Sequence, residues 1–248
     1  MEAFSLFAVW HTFNVLQKMR WQNWVRRFQH RGPLLDYYRF SSSLPRATVR
    51  HYETTDFEAC TQIYKDNETG RFPEGYLAHY QEHLYESRAR ILVIEEEGTV
   101  VGTGGISLSR FTDSLRIATL SFGLIRPDRQ DRGLGTLLFC SRVAYLTAWR
   151  YWLVSMESAG NGTEAFYQKL GFQHIGEEQD EFGELMQHYM AKVLGSDVAR
   201  FHELLSSSDC TIELDFGEQL VEEDRREEFQ SRIEAEQSVP PKSDRVGG

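Results

Sequence analysis

Pro127-Asp128-Arg129-Gln130-Asp131-Arg132-Gly133-Leu134-Gly135-Thr136 is the stretch on which the fold turns. The segment before it, Leu115–Arg126, reads as a strand. The segment after it, Gly133–Trp149, reads as a helix with Leu137, Leu138, Val143 and Leu146 available for a core. Glycines at a strand-to-helix junction let backbone amides approach a ligand without Cβ obstruction. The new helix adds unpaired N–H groups and a positive dipole end. Together they make an anion site suited to a pyrophosphate. From this segment alone a simple turn fits equally well. A Walker loop is excluded because Gly-Lys-Ser/Thr is missing, and a dinucleotide fingerprint because G-x-G-x-x-G is incomplete.

Moving outward, strands and helices alternate. Ala47–Tyr52 is a short strand, and Thr54-Thr55-Asp56 supplies N-cap candidates for a helix over Phe57–Lys65. Asn67–Pro73 is a loop, followed by a helix over Tyr76–Arg88. Arg90–Glu96 and Val100–Leu108 are strands joined by a turn at Glu97-Gly98. Beyond the central helix come a strand at Leu153–Glu157 and a helix at Thr163–Leu170. Phe172–Glu177 and Glu184–Val193 close as a pair of strands. This order predicts an α/β or α+β sheet with helices on both faces.

These pieces carry a resemblance. Gln130-x-x-Gly133-x-Gly135 after a strand and a proline resembles the acyl-CoA pyrophosphate loop of the GNAT N-acetyltransferase superfamily. Thr48-Val49-Arg50 with Asp56 resembles that family's first strand and helix start. Ile91–Glu95 with Val100–Gly105 resembles its central hairpin, and Ala165-Phe166-Tyr167-Gln168-Lys169-Leu170-Gly171-Phe172 its closing helix. The pattern covers residues 47–195, roughly 60% of the chain.

The resemblance implies a mixed, mostly antiparallel central sheet flanked by helices. In it the parallel strands Leu115–Arg126 and Leu153–Glu157 splay apart at the acyl-CoA site. It implies that backbone groups near Gly123, Leu124 and Ile125 contact the pantetheine arm of acetyl-CoA. The amides of Asp131, Arg132, Gly133, Leu134, Gly135 and Thr136, beside Gln130, would hold the pyrophosphate. Asn161 resembles a cofactor-contacting asparagine, at a spacing to Tyr167 one residue shorter than the commonest form. An amine would attack the thioester directly, which requires proton removal and a donor for the leaving thiolate. Tyr167 matches the tyrosine that often donates.

The base is where the chain departs from the family. Many members carry a glutamate on the strand before the loop, yet no carboxylate occurs between Leu115 and Arg126. Glu157, at the end of the next strand, is the nearest substitute. Asp66, Glu68, Glu74 and Glu82 are the other acids placed to meet a cationic amine, and they fit a solvated face equally well.

Composition bounds the rest. The chain has 248 residues and a formal net charge of −10. Hydrophobic content of 41% and aromatic content of 13% exclude a largely disordered chain. The acidic balance argues against nucleic acid as a partner. No apolar run reaches the roughly 18 residues of a membrane span. Cys60, Cys140 and Cys210 form no ligand pattern, and the histidines do not cluster, so no metal is expected. Unpaired thiols suit a reducing, cytoplasmic compartment.

The charge is unevenly spread. Residues 1–46 hold seven bases and two acids, a net +5; residues 196–248 hold fourteen acids and six bases, a net −8; the middle carries −7. Three regions follow: a basic amphipathic helical arm and linker (1–46), a catalytic domain (47–195) and an acidic extension (196–248) whose end reads as disordered. Leu6, Val9, Trp10, Phe13, Leu16, Trp21, Trp24, Val25 and Phe28 follow helical spacing. The arm is assigned to packing on the core or on a second copy in a homodimer, ahead of membrane-surface contact through residues 1–30.

The reading that results is an N-acyltransferase moving acetyl from acetyl-CoA to a small-molecule or peptide amine, without a metal. The alternative is a non-catalytic acyl-CoA-binding or protein-interaction module that retains the cofactor loop. The intact loop and Tyr167 favour the first; the missing strand carboxylate favours the second.

Overall fold

Eight strands form one sheet in the order β6-β7-β5-β4-β3-β2-β1-β8. The computed structural model describes residues 32–36, 44–68, 72, 75–85, 89–107, 117–148, 153–158, 162–179, 183, 185–193 and 203–214. The arm before residue 32, Glu74, Asn161 and the charged tail beyond Leu214 lie outside the described residues. The strands are β1 (Thr48–His51), β2 (Ala89–Glu96), β3 (Thr99–Ser107), β4 (Ile117–Ile125), β5 (Leu153–Ser158), β6 (Gln173–Gln179), β7 (Leu185–Lys192) and β8 (Thr211–Glu213). The helices are α1 (Phe57–Asn67), α2 (Tyr76–Tyr85), α3 (Leu134–Ala148) and α4 (Glu164–Lys169).

Pairing is antiparallel from β1 through β4 and from β5 through β7 to β6. Two pairs are parallel, β4 with β5 and β1 with β8. The sheet is therefore mixed and mostly antiparallel, as expected. Its tightest connection is the β2–β3 hairpin, where Glu97 (φ 50°) and Gly98 (φ 78°) are both left-handed. That is the geometry a two-residue hairpin turn of the favoured hand requires.

Two apolar layers clamp the sheet. On one face Cys60, Ile63 and Tyr64 of α1 meet Tyr76, Tyr80 and Leu84 of α2 over Ile91, Val93 and Leu124. Tyr64 stacks between Phe72 and Tyr80 at centroid distances of 4.8 and 4.9 Å. On the other face lies α3, whose residues from Leu137 to Leu146 are all buried. A helix apolar nearly all round has to be covered on every side. β3 is buried from Val101 to Ile106, and its glycines keep both helical layers close.

The entry to α1 is fixed electrostatically. Arg50 on β1 donates to both carboxylate oxygens of Asp56 at 2.7 and 2.9 Å, and to Glu95 on β2 at 3.1 Å. Burial raises the Asp56 pKa, but Arg50 and the Glu53 N–H outweigh it and hold the carboxyl below its ordinary value.

The sheet also recruits chain from outside residues 47–195. β8 joins the outer edge of β1. Residues 32–36 run along the end of β7: Leu35 N–H donates to Lys192 O at 2.8 Å, and Lys192 N–H to Pro33 O at 3.0 Å. The β6 pairing has already stopped at Met190, which leaves that edge free to be filled.

Candidate active site

β4 and β5 run together for only four residue pairs, from Ile117 opposite Leu153 to Leu120 opposite Met156. β4 then continues to Ile125 beside β3, while Glu157 and Ser158 of β5 stay with β7. The two parallel strands therefore diverge after Leu120. The cause is a bulge. Pairing of β4 with β3 passes from Ser121–Gly105 to Leu124–Thr103, so Phe122 and Gly123 share one partner position. Phe122 takes φ 43°, which no regular strand residue adopts. Bulges bend the strand that carries them and leave ladder groups unpaired. Gly123 is exposed at the opening this creates.

β4 ends in a short 3₁₀ turn at Pro127–Arg129, and a loop leads into α3. Asp131 (φ 60°) and Gly133 (φ 85°) turn the chain with left-handed backbone. Leu137 N–H donates to Gly133 O at 2.9 Å, so the N–H groups before Leu137 find no acceptor within the helix. Asp131, Arg132, Gly133 and Gly135 are exposed, while Leu134 is buried and anchors the turn. A Cβ at Gly135 would meet nothing within 4 Å. The junction is thus an open cradle of N–H groups at the positive end of a fifteen-residue helix.

Gln130 builds this loop. Its side-chain amide donates to Ile125 O and to Asn67 Oδ1, both at 3.0 Å, and Asn67 donates in turn to Ile125 O at 3.1 Å. The Ile125 carbonyl is therefore already doubly satisfied. Gly123 is the exposed member of the expected trio, and the Leu124 side chain belongs to the core.

α4 brings Tyr167 to the same place. Its ring packs edge-on against Phe139 of α3 and Phe172, at 6.0 and 5.4 Å. The guanidinium of Arg142 on α3 interacts with it electrostatically. Arg142 is enclosed, with Nη1 3.4 Å from Gly105 O and 3.3 Å from Ser121 O. Burial pulls its pKa below the ordinary value, and Tyr167 opposes that pull.

The other face of the opening belongs to α2. Side-chain alternation puts Thr119 and Ser121 of β4, Ser155 and Glu157 of β5, and Met186 and His188 of β7 on this face. Thr119 and Ser155 share a hydroxyl hydrogen bond of 2.7 Å. Ser121 Oγ lies 3.1 Å from His83 Nε2, and Phe122 sits beside His79, Tyr80 and His83. Glu157 Oε1 faces His188 Nδ1 at 3.6 Å, with Glu178 on the far side of that ring at 3.9 Å. Tyr76 completes the rim by donating to Met186 Sδ at 3.7 Å. Burial, reinforced by His79, pulls the His83 pKa down to about 4.

Of the acids named from sequence, Glu157 stands at the opening. Asp66 and Glu82 are exposed on helix surfaces, and Asp66 accepts from Gln62 on its own helix. Asn161 falls outside the described residues. Sequence reasoning missed Arg142 and His83. Arg142 did carry a signal, a single charge inside an otherwise apolar helical run. His83 carried only its place beside Leu84 and Tyr80 on a core-facing stripe.

Comparison with known proteins agrees with this geometry. Residues 57–172 match the model of the Acetyltransferase (GNAT) family. A GNAT-family protein from Desulfovibrio desulfuricans superposes with a TM-score of 0.51 at 20% identity, covering 59% of this chain and 98% of that one. The ribosomal-protein-S18-alanine N-acetyltransferase from Escherichia coli gives 0.48 at 20% identity, covering 59% and 93%. No curated protein matches the sequence. The matched residues run from α1 through the splayed strands and the glycine loop to Phe172, and this stretch, just under half of the chain, is similar to the GNAT acetyltransferase family.

Proposed function

We propose that the protein is an N-acetyltransferase that moves an acetyl group from acetyl-CoA to an amine by direct attack on the thioester. One observation supports this above the others: the β4/β5 opening lies directly before the uncapped start of α3 on the same strand. A ligand with a slender arm and a pyrophosphate fits both features at once. The space beyond Gly135 and the exposed Gly123 are consistent with that fit.

Bound acetyl-CoA would supply an activated acyl carbon. The amides from Asp131 to Thr136 would hold its pyrophosphate, with the exposed Arg132 adding positive charge. Gly123 and its neighbours would offer strand-edge groups to the pantetheine arm. Phe122, Thr119 and the Ser121–His83 pair would wall the acceptor side. Glu157 takes the amine's proton. Its carboxylate attracts a cationic amine, and half exposure lets it pass the proton to solvent. Tyr167 donates to the departing sulfur.

A thiol-release assay with acetyl-CoA and a broad amine panel tests the reading. Release above the rate of hydrolysis is expected with at least one amine. Tight coenzyme binding with no turnover across the panel would move the protein to the non-catalytic acyl-CoA-binding reading.

A further inference from the structure

His83 of α2 lies on the sheet where a glycine makes room for it. Gly105 of β3 stands opposite Ser121 of β4, and a Cβ at Gly105 would strike both His83 Nε2 and Ser121 Oγ. A glycine inside a strand weakens it and marks a close approach. What approaches here is an imidazole only 7% exposed, with Nε2 3.1 Å from Ser121 Oγ. Ser107 Oγ lies 3.4 Å from the same oxygen. Phe122, the left-handed residue of the bulge, packs on the ring at 5.2 Å. Burying a polar ring costs free energy that an apolar residue on the same helix stripe would not. Burial, with His79 close by, holds its pKa at about 4, so the ring is neutral near pH 7. Ser121 is the first residue of β4 after its last pair with β5, Leu120 with Met156. One step earlier on the same face, the Thr119 and Ser155 hydroxyls are taken up with each other at 2.7 Å. Ser121 therefore offers its half-buried hydroxyl at the mouth of the opening, on a strand that carries no carboxylate.

We propose that Ser121, held by His83, grips one N–H of the acceptor and so selects primary amines, with His83 a positioning residue that acts through Ser121. The inference rests on the acetyl-transfer reading above. A neutral imidazole has one N–H and one bare nitrogen, and a hydroxyl has one hydrogen and two lone pairs. In either tautomer of His83 the contact with Nε2 leaves a lone pair on Ser121 Oγ, and the ring fixes its direction. An N–H held there keeps the amine nitrogen in place with its own lone pair free to face the acetyl carbon. As the nitrogen bonds to that carbon, the C–S bond breaks and its electron pair stays on sulfur. The nitrogen of a primary amine then carries two hydrogens. One leaves as a proton through Glu157, and the other stays on Ser121 as the amide N–H of the product. A secondary amine brings a single N–H, which Glu157 must remove, so its bond to Ser121 is lost as the reaction proceeds.

Other polar groups on this face are engaged elsewhere. Glu157 faces His188, and Tyr76 donates to Met186. His79 is exposed, and its ring packs on Tyr76 and Phe122.

The test is steady-state kinetics of the full-length protein with the most active primary amine of a broad panel and with the N-methyl derivative of that amine. Wild type, Ser121→Ala, His83→Leu, His83→Gln and the double variant Ser121→Ala/His83→Leu are compared. The wild type should prefer the primary amine in kcat/KM by about tenfold, the scale of one hydrogen bond. Ser121→Ala and His83→Leu should each lose that factor with the primary amine and leave the N-methyl amine unchanged. The double variant should be no slower than either single one, because the two groups act through one contact. His83→Gln, whose amide can still meet Ser121, should keep most of the preference, and the KM for acetyl-CoA should be the same in all. A merely structural pair would slow both amines alike, and that result overturns the role of Ser121. A full preference retained in His83→Leu removes His83 from it. Equal wild-type rates with the two amines overturn the proposal, and that comparison needs no variant to fold. Turnover of neither amine overturns the acetyl-transfer reading itself.

Discussion

Protonation has opposite consequences at two basic groups beside the opening. At Glu157 it removes a charge from a half-exposed side chain; at His83 it creates one in a site only 7% exposed. Glu157→Gln should therefore lower kcat by about 100-fold, within the usual range for a general base. The KM for acetyl-CoA should barely move. Steady-state kinetics with the best amine decide it, and a kcat within twofold of wild type would remove Glu157 from the mechanism. His83 makes itself felt in stability. Burial first, then His79, takes its pKa from 6.5 to about 4. Between those values the unfolded chain binds a proton that the folded chain refuses, so stability falls as pH drops through the window and is unaffected above it. The loss over the window is roughly 3 kcal/mol. Urea unfolding from pH 7 to pH 4 should show that slope, and His83→Gln should flatten it. An unchanged slope in the variant would mean that other groups carry the acid sensitivity.

At the scale of elements, α3 performs two electrostatic tasks. Its first turn presents free N–H groups at Gly135, and its middle carries Arg142 beneath the bulge of β4. The two can be separated because the helix start is open. A side chain at Gly135 meets no neighbour, so Gly135→Glu should fold with wild-type stability. It should nevertheless weaken acetyl-CoA binding by at least 100-fold, since a carboxylate would occupy and repel the phosphate position. Calorimetric titration beside a thermal melt checks both halves. An unchanged affinity would show that the pyrophosphate does not sit on this helix. The bulge is the other element-scale device. It turns β4 away from β5 after Leu120, and without it the parallel ladder would continue and close the opening.

For the described domain as a whole, sheet edges matter most. β8 covers the outer edge of β1, and residues 32–36 cover the end of β7. Gly171 shows how closely that second segment is held. It takes φ 97°, and a Cβ there would lie 2.7 Å from Leu34 O. An uncovered strand edge invites pairing with another chain. A chain ended at residue 195 should therefore melt ~5 °C lower than one ended at Leu214, and should self-associate on warming. Thermal unfolding with light scattering tests this, and identical melting of the two would deny β8 any structural part.

The sequence by itself determined the order of elements, the Glu97-Gly98 turn and the glycine break between β4 and α3. Each is a local property: a period, a pair of left-handed residues, or a break between strand and helix. Strand limits read from alternation fall within a few residues of those observed, as at β4 (Leu115–Arg126 expected, Ile117–Ile125 found). Periodicity says which face a side chain takes, but not what stands opposite. Only the tertiary structure decided that Gln130 reaches back to Asn67, that Ser121 meets His83, and that β8 returns to β1. It alone placed the Arg142 guanidinium between Gly104 and Gly123. The cost of a buried charge depends on the three elements that enclose it, and those are brought together only by the sheet.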